Sequence, residues 1–334
     1  MPIQHPVAQA RASRIYGIGS YRPVRVVDNE YVAEKIGVAP EWIEKRSGIR
    51  TRRYAGPDET VAAMGTAAAA KALAMAGIDA AQVGSVVVAT TSHLTQMPAL
   101  APEIAHALGA DQASAFDISA ACAGFCHALA IGSDMVRAGT ADYVLVIASE
   151  RATDIFDEND KSTAFLFADG AGAVLVGPSD RPGIGPVVWG ADGSKLDVIA
   201  MTNFWTTELR TDPGSTWPRL GMTGWRVYRW ATEQLAPVLQ QALDAAGVTA
   251  GDLQAFIPHQ ANLLITQTLA KSLELPDSVA IAEDISESGN TSAASVPLAM
   301  DAMLTSGQAD QGGLALLIGF GSGLVYAAQV VELP

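Results

Sequence analysis

The two halves of the 334-residue chain resemble each other at an offset of 170 residues. Residues 72–78 (ALAMAGI) and 242–248 (ALDAAGV) each have the pattern of a helix end, a terminating glycine and a short loop. A short apolar strand is predicted soon after each, at 86–90 (VVVAT) and 256–259 (FIPH). A repeat this long indicates two duplicated domains and not a solenoid.

Apolar strands alternate with helical stretches in both halves, which favours parallel sheets covered by helices. We expect helices near residues 59–76, 98–108, 121–138, 224–246, 261–273 and 292–306. We expect strands near residues 85–91, 114–119, 142–149, 172–177, 254–257, 314–318 and 324–332. Clefts between domains are frequent ligand sites, so an active site is expected at the seam between the halves.

Composition narrows the class of protein. Hydrophobic residues make up 49% of the chain and charged residues 17%, which is typical of a globular protein. A net charge of −14 argues against general nucleic-acid binding. The apolar runs are too short for a membrane span, and the first residues lack the pattern of a signal peptide. Two cysteines, Cys122 and Cys126, indicate neither a disulfide framework nor a zinc site, and reduced thiols in the cytoplasm are expected.

Cys122 lies where a predicted strand ends and a helix rich in small residues begins. Unpaired N–H groups and the helix dipole at such a position favour the thiolate, which is the nucleophilic form. A lone cysteine is more often a small buried hydrophobe. Two later motifs, 258–262 (PHQAN) and 288–295 (SGNTSAAS), favour the interpretation as a nucleophile for acyl transfer.

Six segments, taken together, resemble the β-ketoacyl-[acyl-carrier-protein] synthase III family. They are 41–49 (EWIEKRSGI), 117–125 (DISAACAGF), 167–173 (FADGAGA), 259–262 (HQAN), 289–295 (GNTSAAS) and 319–324 (GFGSGL). The resemblance runs in order from about Arg14 to the C-terminus. It implies an α/β thiolase-like fold with two duplicated βαβ halves in a five-layered αβαβα sandwich. Residues 1–178 would form the half with the cysteine, and residues 179–334 the half with the histidine and asparagine.

The resemblance also implies a reaction, the decarboxylative Claisen condensation of a short-chain acyl-CoA with malonyl-[acyl-carrier protein]. Cys122 would carry the acyl group, while His259 and Asn290 would each direct one N–H at the enolate oxygen. The backbone N–H groups of Cys122 and Ser322 would form the oxyanion hole of the thioester. A starter-unit ketosynthase of a polyketide pathway would use the same chemistry. An acyltransferase that moves the acyl group from Cys122 to a hydroxyl, without condensation, is the alternative.

Several residues are expected to bind coenzyme A. Trp42 and Arg46 lie four apart on one predicted helix face and could hold an adenine between them, as the pair does in the family. Lys161 and Asn262 are assigned to the same site by the resemblance. Three further arginines form a positive cluster that could meet the phosphates: Arg50, Arg52 and Arg53.

The resemblance places Met97 and Phe167 at the acyl pocket, with Met97 reaching into the pocket of a partner subunit in a homodimer. An acidic carrier protein needs a local basic patch, for which the candidates are Arg226, Arg229 and Lys271. Many family members have a basic residue where this chain has Leu264, and an arginine where it has Lys161, so the pose of the acyl donor is open. Neither a metal nor a bound cofactor is implied.

Other enzyme classes fit less well. A papain-like hydrolase has a different nucleophile motif, and a degradative thiolase needs a second catalytic cysteine near the C-terminus. The segment 169–172 (DGAG) lacks the three-glycine spacing and the strand-to-helix context of a dinucleotide-binding loop. The segment 195–221, with Trp205 and Trp217, interrupts the regular pattern and has enough apolar bulk to cap a tunnel.

Overall fold

The computed structural model describes residues 11–203, 206, 211 and 217–334. The strands are β1 (Ala12–Tyr21), β2 (Arg25–Asp28), β3 (Thr51–Tyr54), β4 (Val83–Ala89), β5 (Ser114–Ile118), β6 (Tyr143–Arg151), β7 (Asp169–Ser179), β8 (Val188–Ala191), β9 (Ile199–Met201), β10 (Leu220–Met222), β11 (Ala255–Pro258), β12 (Ala280–Ile281), β13 (Leu314–Gly321) and β14 (Val325–Glu332). The helices are α1 (Asn29–Ile36), α2 (Pro40–Ser47), α3 (Val61–Ala76), α4 (Leu100–Leu108), α5 (Gly124–Arg137), α6 (Gly224–Ala246), α7 (Leu263–Ser272), α8 (Ile285–Ser288) and α9 (Ser295–Ser306). Trp205 and residues 212–216 of the irregular segment lie outside the described residues.

The duplication seen in the sequence is visible in the topology of two five-stranded sheets. Their orders are β5-β4-β6-β7-β1 and β12-β11-β13-β14-β8. In each sheet the second strand pairs in parallel with both neighbours, and the remaining two pairs are antiparallel. The two sheets therefore have the same pairing pattern, strand by strand.

The expectation of parallel sheets is correct for two of the four strand pairs in each sheet and wrong for the other two, so both sheets are mixed. β13 and β14 are joined by residues 322–324, and so short a connection only allows an antiparallel return. A parallel neighbour would need a crossover of a dozen or more residues. The sequence already contained this information, since no helical stretch separates the two strands.

The helices form three layers around the two sheets. α5 and α9 are buried between the sheets, where Phe125, Leu129, Val296 and Met300 belong to one central apolar cluster. A second cluster joins α3 and α4 to the outer face of the first sheet, and a third joins α6 and α7 to the outer face of the second. The order of layers is αβαβα, which confirms the predicted five-layered sandwich.

Close packing of the central layer explains the segment 169–172. These residues begin β7, which pairs with β1 and β6, and do not form a loop before a helix. A Cβ added at Gly172 would lie 2.7 Å from Pro297 Cβ in α9. The glycine therefore serves the contact between strand and helix, which confirms the rejection of a dinucleotide-binding loop.

Within the described part of the chain, every helix is too short or too polar to span a lipid bilayer.

Candidate active site

A cavity of about 1250 Å³ lies between the two halves of the fold. Cys122 from the first half lines it, together with His259 and Asn290 from the second. The structure thus brings together the three predicted catalytic side chains, which are far apart in the sequence.

Cys122 lies in the single 3₁₀ turn Ala121–Ala123, immediately before α5. Ala121 has φ +46°, a left-handed conformation that L-residues rarely adopt, and this turns the cysteine side chain toward the cavity. The thiol Sγ lies 3.4 Å from Ser292 Oγ. The backbone at Gly321 closely approaches the backbone at Cys122, since a Cβ added at Gly321 would lie 2.8 Å from the Cys122 nitrogen.

The expectation that this position favours the thiolate was wrong. The Cys122 side chain is partly exposed to the cavity, but the surrounding protein is dense, and burial raises the pKa of the thiol to about 12. Cys122 directly precedes the first turn of α5, whose free N–H groups point back toward it, but burial is the largest influence on its pKa. Acylation of this thiol needs a proton acceptor.

His259 follows β11 directly and is 2% exposed. Its Nδ1 lies 2.7 Å from Ser295 Oγ, and that oxygen also accepts a hydrogen bond from the Gln260 backbone N–H at 3.2 Å. In the tautomer in which the Ser295 hydroxyl donates to Nδ1, the protonated nitrogen is Nε2. Burial lowers the pKa of His259 to about 3, so the ring is a neutral N–H donor at physiological pH.

Asn290 is held on both sides by backbone hydrogen bonds. Its N–H donates to the Leu166 carbonyl at 2.9 Å, and its carbonyl accepts from Ala168 N–H at 2.9 Å. The side-chain Oδ1 accepts from the Ser292 N–H at 2.9 Å, so Nδ2 remains as a donor for a ligand. The preceding Gly289 has φ +67°, and a Cβ there would lie 2.9 Å from the Cβ of Arg52.

Sequence reasoning gave no role to Glu150, which also lines the cavity and is 1% exposed. Its Oε1 accepts a hydrogen bond from Ser292 Oγ at 3.0 Å. The only signal in the sequence was a carboxylate at the end of the apolar run 144–148. Ser292 and Ser295 lay inside a recognised motif but had no assigned function.

Ser322, predicted to supply a backbone donor, lines the cavity just beyond Gly321. Its side-chain hydroxyl donates to the Ile199 carbonyl at 2.6 Å, which ties the turn between β13 and β14 to β9. The Ser322 side chain thus has a structural role, and only its backbone N–H is a candidate donor to the substrate.

The predicted coenzyme A residues contact one another along the cavity. Arg46 Cζ lies 5.3 Å from the Trp42 ring centroid, and Lys161 Nζ lies 4.7 Å from the same ring. Asn262 caps α7 by accepting from the Leu264 N–H at 2.9 Å, and its Nδ2 donates to the Arg46 carbonyl at 3.0 Å. All of these residues line the cavity.

The three other arginines do not form a cluster for phosphates. Arg52 is fully buried and donates to the Asp28 carbonyl and to Asn29 Oδ1. Arg53 donates to the carbonyls of residues 23 and 24, and Arg50 pairs with Glu287 at 2.6 Å. Neighbouring positions on the extended strand β3 point to opposite faces, so the charges diverge.

The remaining predicted residues lie in three places. Phe167 is buried and lines the cavity, whereas Met97 is 86% exposed and is not part of the lining. Arg226 pairs with Asp197, Arg229 pairs with Glu233 at 2.8 Å, and Lys271 is exposed in the last turn of α7. Leu264 is 40% exposed and lines the cavity, as do Trp225 and Tyr228.

Known proteins match both halves of the chain. Residues 116–193 match the family model 3-oxoacyl-[acyl-carrier-protein (ACP)] synthase III, and residues 243–333 match the model for its C-terminal part. A β-ketoacyl-[acyl-carrier-protein] synthase III 1 of Streptomyces coelicolor is 54% identical, covering 98% of each chain. A mycobacterial β-ketoacyl-[acyl-carrier-protein] synthase III of Mycobacterium avium is 50% identical, covering 96% of this chain and 95% of its own.

Solved structures show the same likeness. The priming β-ketosynthase of the R1128 polyketide biosynthetic pathway has a TM-score of 0.96 and 51% identity, covering 99% of this chain and 98% of its own. A 3-oxoacyl-(acyl carrier protein) synthase III of Pseudomonas aeruginosa has a TM-score of 0.91 and 36% identity, covering 97% of this chain and 99% of its own.

Proposed function

Since the chain belongs to the β-ketoacyl-[acyl-carrier-protein] synthase III family, we propose that it loads a short acyl group from acyl-CoA onto Cys122 and condenses it with malonyl-[acyl-carrier protein]. The chain is a condensing enzyme of the transferase class. The observation that carries the assignment of residues is the convergence of Cys122, His259 and Asn290 on one cavity.

Acylation places a negative charge on the thioester oxygen, and two backbone N–H groups would receive it, those of Cys122 and Ser322. The close approach at Gly321 supports this role, because it brings the two backbone segments into contact. Decarboxylation of the malonyl group then places charge on an enolate oxygen. His259 Nε2 and Asn290 Nδ2 suit that oxygen, because each is the nitrogen left free after internal hydrogen bonds have fixed the other polar atom.

Trp42, Arg46, Lys161 and Asn262 would hold the nucleotide end of the donor. Two cations, Arg46 and Lys161, lie within 5.3 Å and 4.7 Å of the centroid of the Trp42 ring, and an adenine that stacks on this ring would lie next to both. Asn262 contributes by fixing α2 against α7.

The acyl chain would lie against Phe167, with Met97 supplied by the partner of a homodimer. The exposure of Met97 supports this arrangement. So does β5, an edge strand that is paired only with β4 and carries Phe116 at 36% exposure.

An acidic carrier protein would dock at the surface of Arg226, Arg229 and Lys271. The acidic partners of both arginines reduce the positive field there, and Leu264 adds none. Electrostatic attraction would therefore contribute little to the docking of the carrier protein. Acyl-CoA and malonyl-carrier protein are substrates, and no bound cofactor is required. Both cysteines are free thiols, which supports a cytoplasmic location.

The test is intact-protein mass spectrometry after incubation with acetyl-, butyryl- and isobutyryl-CoA, followed by malonyl-carrier protein. We expect a mass gain that is lost in Cys122→Ala and retained in the matched control Cys126→Ala. We then expect release of a β-ketoacyl carrier protein. Transfer of the acyl group to an alcohol, with no reaction toward malonyl-carrier protein, would establish the acyltransferase alternative instead.

A further inference from the structure

Cys122, Ser292 and Glu150 form a continuous line of hydrogen bonds. The thiol donates to Ser292 Oγ over 3.4 Å, and the serine hydroxyl donates to Glu150 Oε1 over 3.0 Å. A hydroxyl that accepts from one group and donates to the next is placed to pass a proton between them.

The backbone of Ser292 is held in an unfavourable conformation. Its φ is +52°, in the left-handed region that residues other than glycine rarely adopt. The Asn290 side chain fixes the Ser292 N–H at 2.9 Å. Such conformations persist where surrounding contacts enforce them, and they are common at functional sites. Here the result is that Oγ lies between the thiol and the carboxylate.

Glu150 is built as a proton acceptor. It is 1% exposed, and the groups that contact its oxygens are donors: the N–H groups of Thr91 and Ser92, and the hydroxyls of Thr90, Thr91, Ser92 and Ser292. This arrangement matches an ionised carboxylate with one oxygen directed at Ser292. Burial raises the pKa of Glu150, which moves it toward the pH at which the enzyme would work.

His259 is poorly suited to the same task. Its Nδ1 is engaged by the Ser295 hydroxyl at 2.7 Å, its Nε2 is the donor in the proposed function, and the pKa of about 3 disfavours a second proton on the ring. The two functions are therefore divided. The imidazole donates to an oxygen of the substrate, and another group must accept the proton of the thiol.

We propose that Glu150, acting through the Ser292 hydroxyl, receives the proton that leaves Cys122 when the acyl group is loaded. The thiol proton passes to Ser292 Oγ while the serine proton passes to Oε1. The bond from Sγ to the acyl carbon forms, and the bond from that carbon to the donor sulfur breaks. The departing thiolate takes the proton back along the same line, so a neutral thiol leaves and Glu150 is again ionised.

The charge balance favours this route. Ionising the thiol into solvent would leave two negative charges, on Sγ and Glu150, in one buried cavity. Internal transfer keeps the total at one, which avoids the Coulomb cost of a second buried charge. Glu150 is thus a positioning and proton-accepting residue, and the inference rests on the proposed acylation of Cys122.

The experiment measures the rate of Cys122 acylation by acetyl-CoA and butyryl-CoA, by rapid quench and intact-protein mass spectrometry, from pH 6 to pH 9.5. Glu150→Gln and Ser292→Ala should each slow acylation about 100-fold near neutral pH, which is typical of a lost general base. The deficit should shrink as pH rises, because hydroxide then ionises the thiol directly. Glu150→Asp, which keeps the carboxylate, should recover at least tenfold over Glu150→Gln.

The pH dependence is compared between proteins because other groups titrate nearby. On β7, Asp169 has a pKa raised to about 6 by burial, and β6 carries Arg151. Asp160 and Lys161 line the cavity mouth. These groups are present in every variant, so their effects cancel in the ratio of the variant rate to the wild-type rate. Circular dichroism and thermal unfolding report whether each variant folds. If Glu150→Gln does not fold, the acylation rate of Ser292→Ala, which lacks only one oxygen atom, tests the proposal by itself.

Two results would overturn the inference. One is acylation within threefold of the wild type in Ser292→Ala. The other is a deficit that stays constant across pH or is no smaller in Glu150→Asp, which would indicate a structural role. Absence of any Cys122 adduct in the wild-type protein would instead refute the proposed function itself.

Discussion

Ala121 and Ser292 occupy equivalent positions in the two halves of the fold. They lie 171 residues apart, both have left-handed φ values, and both begin a 3₁₀ turn that leads into a helix buried between the sheets. In the first half the next residue is Cys122, the proposed nucleophile, and in the second half Ser292 itself faces that thiol. The duplication therefore supplies two similar strained turns whose side chains meet in one cavity.

The neutral state of His259 predicts an effect on stability. With a folded pKa near 3 and an unfolded pKa near 6.5, the unfolded chain binds more protons between these values. The free energy of unfolding therefore falls as pH drops below 6.5, by up to about 1.4 kcal/mol per pH unit. Between pH 7.5 and 5.0 the wild type should lose about 2 kcal/mol more than His259→Gln, measured by urea unfolding.

Asp169 acts with the opposite sign, since its raised folded pKa of about 6 makes stability decrease as pH rises through that value. It is present in both proteins, so the difference isolates His259. Equal pH dependence in the two proteins would show that the pKa of the imidazole is the same in the folded and unfolded states.

Replacement of Gly172 by alanine is expected to cause a packing defect. A methyl group there would meet Pro297 at 2.7 Å in the buried contact between β7 and α9, whereas a methyl group at Gly193 meets no atom within 4 Å. Gly172→Ala should lower the free energy of unfolding by about 1–3 kcal/mol. Gly193→Ala should change it by less than about 0.5 kcal/mol. Thermal unfolding of both variants is the measurement, and matching melting temperatures would contradict the close contact.

The duplication was predictable from a local pattern, whereas the layer order and the roles proposed for Cys122, His259 and Asn290 were implied by the family resemblance. The repeat at 72–78 and 242–248 marks equivalent helix ends, and both end at left-handed glycines, Gly77 and Gly247. Cys122, His259 and Asn290 all sit inside the short motifs that carry the family resemblance. No such motif identifies Glu150, whose role depends on the fold bringing β6 beside Ser292.

The errors share a physical cause, which is that burial and pairing are properties of the folded chain. Arg52 looked like a surface cation in the sequence but is fully enclosed. The helix dipole suggested a thiolate at Cys122, but desolvation dominates its pKa. Arg226 and Arg229 remain the proposed docking residues, but the carboxylates that pair with them could not be recognised from the sequence.

Substitutions of Arg46 and Lys45 can separate the effect of the cation–π contact with Trp42 on acyl-CoA binding from the effect of positive charge alone. They are adjacent in the last turn of α2 and both are exposed, but only Arg46 lies over Trp42. Arg46→Ala should raise KM for acyl-CoA roughly 5–30-fold, as expected for the loss of about 1–2 kcal/mol of cation–π contact, with kcat nearly constant. Lys45→Ala removes the same charge and should change KM less than about twofold. Equal effects in steady-state kinetics would mean that only the net charge matters.

The pair of Asp197 and Arg226 predicts a gain of function. Both groups are at the surface, with side-chain exposures of 67% and 31%, and the carboxylate offsets the charge offered to an acidic carrier protein. Asp197→Asn should raise kcat/KM for malonyl-carrier protein at low ionic strength by less than about fivefold, because an exposed ion pair is worth under about 1 kcal/mol. The gain should vanish near 0.5 M salt, roughly, where such interactions are screened.

Asp142→Asn is the matched control, since it changes the net charge equally but frees Arg11, an arginine outside the proposed docking surface. If Asp142→Asn increases kcat/KM as much as Asp197→Asn does, the effect comes from net charge, and Arg226 has no special part in docking the carrier protein.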